Sequence, residues 1–169
     1  LSEWFRVPKA EKKQTFSVEQ AITISGMITQ SASPQFRLET EFSEEIQSLD
    51  IEGSLASFVD ILDIAFSNVI KHSGLTEDIV ARVFATLEAA DIVIRIVNPM
   101  AEGAATDMAR AAVESTLERV KSQPFSKAVS IEGGSGFFKL RKTLHHDFGA
   151  GSDTSESLSC GFLGDDSFY

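Results

Sequence analysis

Three short stretches hold residue types that could act on a ligand. In FVDILDIAFSNVIKHSG, Asn68 is followed by Lys71 and His72. An Asn side chain can give an oxygen to Mg²⁺ or a donor to phosphate, and Lys71 adds charge for a polyphosphate. A solvated polar edge on an apolar helix is the plainer alternative for the same residues. The second stretch is Glu132-Gly133-Gly134-Ser135-Gly136, ahead of a helical pattern. Closely spaced glycines let backbone N–H groups approach a phosphate, and a helix N-terminus favours an anion. No Gly-Lys-Ser/Thr ends the loop, and its spacing is not that of the dinucleotide fingerprint. Taken singly it serves equally as a left-handed turn. The third is Val97-Asn98-Pro99-Met100, where a strand pattern stops at a proline that cannot donate to a ladder. A turn Asn is the ordinary reading there. His145 and His146 are adjacent, so on a helix they do not face one metal. Cys160 is the single cysteine, which excludes an internal disulfide and a multi-Cys metal site.

These groups need elements to position them. Residues 1–16 read as an arm or a lead-in strand, and 18–30 as a helix spaced on Val18, Ala21, Ile22, Ile24 and Ile28. QFRLETEF (35–42) alternates Phe36, Leu38, Thr40 and Phe42 with polar residues, a half-buried strand. Leu55 to His72 is apolar around most of its circumference and reads as a buried helix ending at Ser73-Gly74. Asp60, Asp63, Ser67 and Lys71 make its polar stripe, with Asn68 beside it, one turn after Ile64. Residues 78–98 read as a hairpin turning at Glu88–Asp91. Glu102–Ser122 is an Ala-rich helix, and 125–131 a short strand or irregular stretch. Gly136–Asp147 is a helix with a basic face at Lys139, Arg141 and Lys142. Residues 157–163 and 167–169 are strands joined by Gly-Asp-Asp. The sum predicts an α+β two-layer sandwich: a mixed, mostly antiparallel sheet with helices on one face.

The chain is 169 residues with 43% hydrophobic and 24% charged residues, values of a globular domain rather than a disordered chain. No apolar run reaches membrane-spanning length. The net charge of −10 argues against direct binding to nucleic acid, whose phosphates it repels. After Lys142 there is no Lys or Arg, while five acidic residues follow. The sequence begins without Met or a signal-peptide pattern, and reads as a piece of a longer cytoplasmic, bacterial-type protein.

The order of these stretches resembles the Bergerat ATP-binding fold of the GHKL superfamily, which includes gyrase, Hsp90, histidine kinases and MutL. FVDILDIAFSNVIKHSG looks like the N-box of sensor and anti-sigma kinases, IVIRIVNPM falls where the adenine-binding Asp loop belongs, and GGSGFFKLRKTL looks like the last glycine box. The resemblance divides the chain into an N-terminal arm and helix (1–34) and a nucleotide-binding domain (35–169). It implies ATP or ADP with Mg²⁺ as ligand, and Asn68 as the N-box residue that holds the Mg²⁺. It implies that Lys71 and His72 approach the phosphates and that Asn98 meets the adenine amino group. Gly133, Gly134, Ser135 and Gly136 would cradle phosphates, with residues 99–132 as the lid.

Two departures bear on activity. The family's hydrolases place a water-activating Glu one turn before the Asn, where this chain has Ile64, and Asp63 points about 100° away round the helix. Asn98 replaces an Asp, and Met100 and Glu102 stand in place of the glycines that follow it. The expected function is therefore a GHKL-like nucleotide-binding regulatory module with impaired or absent hydrolysis. Any turnover would be that of a weak ATPase or kinase-like domain. No phosphoacceptor His-Glu motif precedes the domain in this sequence. The alternative is an interaction module that kept the sandwich, lost the nucleotide and holds a protein partner.

Overall fold

The computed structural model describes residues 14–122, 135–149 and 158–169. The chain runs β1 (Gln14–Ser17), α1 (Val18–Ala32), β2 (Phe36–Phe42), α2 (Glu44–Gln47), β3 (Asp50–Gly53) and α3 (Leu55–His72). It continues with β4 (Ile79–Glu88), β5 (Asp91–Pro99), α4 (Asp107–Ser122), α5 (Ser135–Asp147), β6 (Phe162–Leu163) and β7 (Ser167–Phe168). Five strands form one sheet in the order β2-β4-β5-β7-β6, and β1 pairs β3 in a separate two-stranded sheet. The β2–β4 pair is parallel and the remaining pairs are antiparallel.

Alternation along the strands decides which face is covered. Ile79, Ala81, Val83 and Ala85 of β4 are buried, and Ile92, Ile94 and Ile96 of β5 pack on the same core. Two helices cover that face. The α1 helix contributes Val18, Ala21 and Ile22, and α3 contributes Phe58, Leu62, Phe66 and Val69, one residue per turn. Phe66 meets Phe36 of β2 with ring centroids 5.3 Å apart. Both helices begin at a serine cap: the Ser17 hydroxyl accepts from the Gln20 N–H, and the Ser54 hydroxyl from the Ser57 N–H. The result is the two-layer α+β sandwich that the alternation predicts.

Several local expectations change. The α1 helix buries Ser25, Gly26 and Thr29, while Ile24 and Ile28 are 44% and 52% exposed. Small residues are needed there because the helix crosses β2 closely: a Cβ on Gly26 would overlap Leu38. The Ser25 and Thr29 hydroxyls donate back to the carbonyls of Ala21 and Ser25, so their burial leaves no orphan donor. The α3 helix is buried along a stripe rather than all round, since Asp60, Asp63 and Lys71 stay exposed. Residues 43–54, left without elements by the sequence pattern, hold α2 and β3. The helix expected from Glu102 starts at Asp107, and the strand expected from 157 is reduced to Phe162–Leu163. The stretch 125–131, together with Gly133 and Gly134, lies outside the described residues.

Candidate functional site

The α3 helix places Asp60, Ile64 and Asn68 one above another, because residues four apart share a helix face. The α5 helix lies against that face. Its first turn brings Gly136 so close that a Cβ there would lie 3.2 Å from Ile64 Cγ2 and 3.5 Å from Asn68 Nδ2. At the other end, Phe148 stacks edgewise on Phe58 with centroids 5.7 Å apart, so α5 runs back along α3 in the opposite sense. Two motifs about seventy residues apart are thereby joined. The start of α5, where backbone N–H groups lack intrahelical partners, faces the amide of Asn68.

Ser135 opens α5, and Lys71 and His72 are exposed in the last turn of α3. The helix then stops at Ser73, whose N–H donates to Val69 O, and Gly74 turns the chain at φ +73°. There the end of α3 is stitched to the segment after β5. The Ala101 N–H donates to Ser73 O at 2.8 Å, and Gly74 leaves room for the Ala101 side chain.

Asn98 sits at that same end of the sheet. It follows Ile92, Ile94 and Ile96 in the inward-facing row of β5, which accounts for its being only 4% exposed. Its Nδ2 donates to Pro99 O at 3.0 Å. A carbonyl partner requires a donor, so this bond fixes the amide's orientation and leaves Oδ1 as the group free to accept from elsewhere. The hairpin β6–β7 covers the strand edge beside it, pairing Phe168 with Asn98.

Below Gly136, the α3–α5 contact opens into a cavity of about 300 Å³ lined by Asp60, Ile64, Lys139, Lys142, Thr143, His146 and Asp147. Ile64 thus has a glycine above it and this groove beside it. The carboxylate sharing its face is Asp60, one turn earlier; Asp63 lies on the exposed flank. The sequence marked the Lys139 and Lys142 face as basic but gave no sign that it meets Asp60, because helix pairing is a tertiary event. Cys160 lies elsewhere, half-buried next to β6, and burial pushes its thiol up to about 11 against a weaker lowering by Lys121. Among the described residues, no group of three or more His, Cys, Asp and Glu side chains could hold a metal. None of their helices is long and apolar enough to cross a membrane.

Glycine at 136 lets the start of α5 pack close against Ile64 and Asn68, where a Cβ would press on the Ile64 side chain.

A family model described as "y4jQ C-terminal putative histidine kinase domain" matches residues 17–152. Among solved structures, a nucleotide-free form of the catalytic domain of histidine kinase ThkA superposes with a TM-score of 0.63 at 12% identity, covering 94% of this chain and 93% of that one. Another nucleotide-free form of the same domain gives 0.57 at 13% identity, covering 94% and 95%. No curated protein sequence matches the chain. At such low identity the superposition speaks for fold alone, whereas the family match spans most of the sequence. The chain belongs to the y4jQ C-terminal domain family and carries the fold of histidine kinase catalytic domains.

Proposed function

We propose that this domain binds ATP or ADP with Mg²⁺ between α3, the start of α5 and the Asn98 end of β5, with impaired hydrolysis, as a regulatory module of a larger protein. The observation that carries the reading is the apposition of Gly136 and Asn68. It presents a helix N-terminus and a side-chain oxygen to one point, where a phosphate and its cation can share them. Asn68 would hold the Mg²⁺, and Lys71 and His72 in the exposed last turn would meet outer phosphate oxygens. Gly133, Gly134 and Ser135 would continue the backbone cradle begun at Gly136. Asn98 would accept from the adenine amino group through Oδ1, because Nδ2 is engaged by Pro99 O. The bound cation would neutralise phosphate charge.

Against this stands the reading of a nucleotide-free interaction module, favoured by the apolar stripe on α1, where Ile24, Met27 and Ile28 are 44%, 63% and 52% exposed. Thermal unfolding with added ATP or ADP, with and without Mg²⁺, separates the two. A ligand bound only by the folded state at about a hundredfold excess over its Kd adds about 2.7 kcal/mol, a rise of about 5–10 °C for a chain of this size. Asn68→Ala should remove the increment that Mg²⁺ supplies and leave the rest. No shift at millimolar nucleotide would refute binding, and an unaltered Mg²⁺ increment in Asn68→Ala would refute the role of Asn68.

A further inference from the structure

One guanidinium gathers three contacts outside the site just described. Arg110, in the first turns of α4, donates through Nη2 to Gly164 O at 2.6 Å and to Asp165 Oδ1 at 2.7 Å. Its Cζ also lies 4.8 Å over the ring of Phe162. All three partners belong to the β6–β7 hairpin, Gly164 and Asp165 to its turn and Phe162 to β6. The same turn is held from its other side by the chain that leads to α4. The Met100 N–H donates to Asp166 O at 2.7 Å, two residues after Asn98. The far end of α4 has its own tie: Arg141 of α5 donates to Val120 O, and Val120 packs on Phe138. The α4 helix is therefore suspended between two arginines, one reaching out of it to the hairpin and one reaching into it from α5. Its outward surface carries Met108, 83% exposed.

We propose that Arg110 is a releasable clasp that holds α4 closed onto the hairpin and so fixes the Met100–Ala101 backbone beside Asn98. Released, α4 pivots on the Val120–Phe138 contact, and the segment from Met100 to Asp107 loses its anchor on the Gly164–Asp166 turn. The ion pair alone is weak, since the Asp165 side chain is 97% exposed and solvent screens it. The hold comes from combining a carbonyl bond, a carboxylate bond and a ring face, which a planar fork can serve together and an ammonium cannot. A single side chain with partial exposure makes a closure that can be broken without disturbing the core.

Amide hydrogen exchange on the whole chain tests this, without nucleotide, so the outcome is independent of the function proposed above. In Arg110→Ala the Met100, Gly161 and Tyr169 amides, all bonded in or to the hairpin, should exchange roughly tenfold faster or more. The Phe66 and Val83 amides of the main core should stay as they were, which reports that the variant is folded. Arg110→Lys should match Arg110→Ala, and Asp165→Asn should change exchange by less than about twofold. Unchanged exchange at Met100, Gly161 and Tyr169 in Arg110→Ala would overturn the clasp. Full acceleration by Asp165→Asn would also overturn it, reducing the contact to an ordinary ion pair.

Discussion

On the proposed reading, Ile64 decides what the site could do to a bound nucleotide. It lies on the face of α3 that meets Gly136, one turn before Asn68, where the hydrolases this chain resembles place a carboxylate to take a proton from water. An apolar branch cannot accept one, and general-base help is worth about 10²–10⁴-fold. Steady-state ATPase assays should therefore find turnover at background even where ATP binds. Asp60, on the same helix face one turn before Ile64, is the carboxylate best placed to revise that expectation; Asp147 of α5 lines the same groove. Robust hydrolysis abolished by Asp60→Asn would make it the base. Taken residue by residue, Asn68, Asn98 and the glycine stretch were separate signals, and only the resemblance joined them into one site. The sequence could not show that Gly136 closes on Ile64, since that depends on α5 folding back along α3. Cys160 gives a second expectation at this scale. With burial holding the thiol near 11 instead of 9.0, its thiolate population at pH 8 is about a hundredfold below that of an unperturbed thiol. Labelling by iodoacetamide should be slower by about that factor than in the unfolded chain, and should rise about tenfold per pH unit up to the pKa. Labelling at the unfolded rate at pH 8 would show that the thiol is not desolvated.

Elements differ in how openly the sequence declares them. Period-two alternation marked β2, β4 and β5, and the apolar length of 55–72 marked α3, because burial of one face imposes those periods. The four-residue elements β1, α2 and β3 are too short to carry a period, and the lead-in segment alone suggested the first of them. The parallel pairing of β2 with β4 joins strands separated by α3, so neither strand's own pattern encodes it. The α1 helix misleads in a specific way. A reading that counts large apolar residues turns it toward Ile24 and Ile28, whereas close approach to β2 selects Ser25, Gly26 and Thr29. Gly26→Ala tests that account. Ala is the better helix former by about 1 kcal/mol, so a free helix surface would be stabilised. Here the added methyl overlaps Leu38, and shifting the packed pair costs about 1–3 kcal/mol. Urea unfolding should show a net loss of up to about 2 kcal/mol with an unchanged m-value. A gain in stability would mean that α1 and β2 are not in close contact.

At the scale of the molecule the apolar contacts divide unequally. The large core joins α1, α2, α3 and the β2-β4-β5 part of the sheet. Among the described residues, a small one holds Val120 and Phe138, with Phe137 and Leu158 against them, where α4 meets α5. Burial free energy follows the apolar area removed from water, so the second cluster contributes far less than the first. The α4–α5 corner also depends on side-chain ties from Arg110 and Arg141, while α3 is fixed by four buried residues spread over its length. Unequal anchoring predicts unequal opening. In amide exchange under increasing urea, α4 should open with a smaller denaturant slope than α3 and β4, which should exchange only on global unfolding, while α5, tied to the main core through Phe148 on Phe58, should fall between them. A nucleotide bound at the start of α5 would stabilise the closed corner by mass action, so Mg²⁺-nucleotide should raise protection in α5 well before it affects β4. This coupling would let occupancy of the proposed site be read by a partner, as order or disorder of α4. One common slope for all four elements would show that the molecule opens as a single unit. Protection gained equally in α5 and β4 would leave no separate corner for the ligand to order.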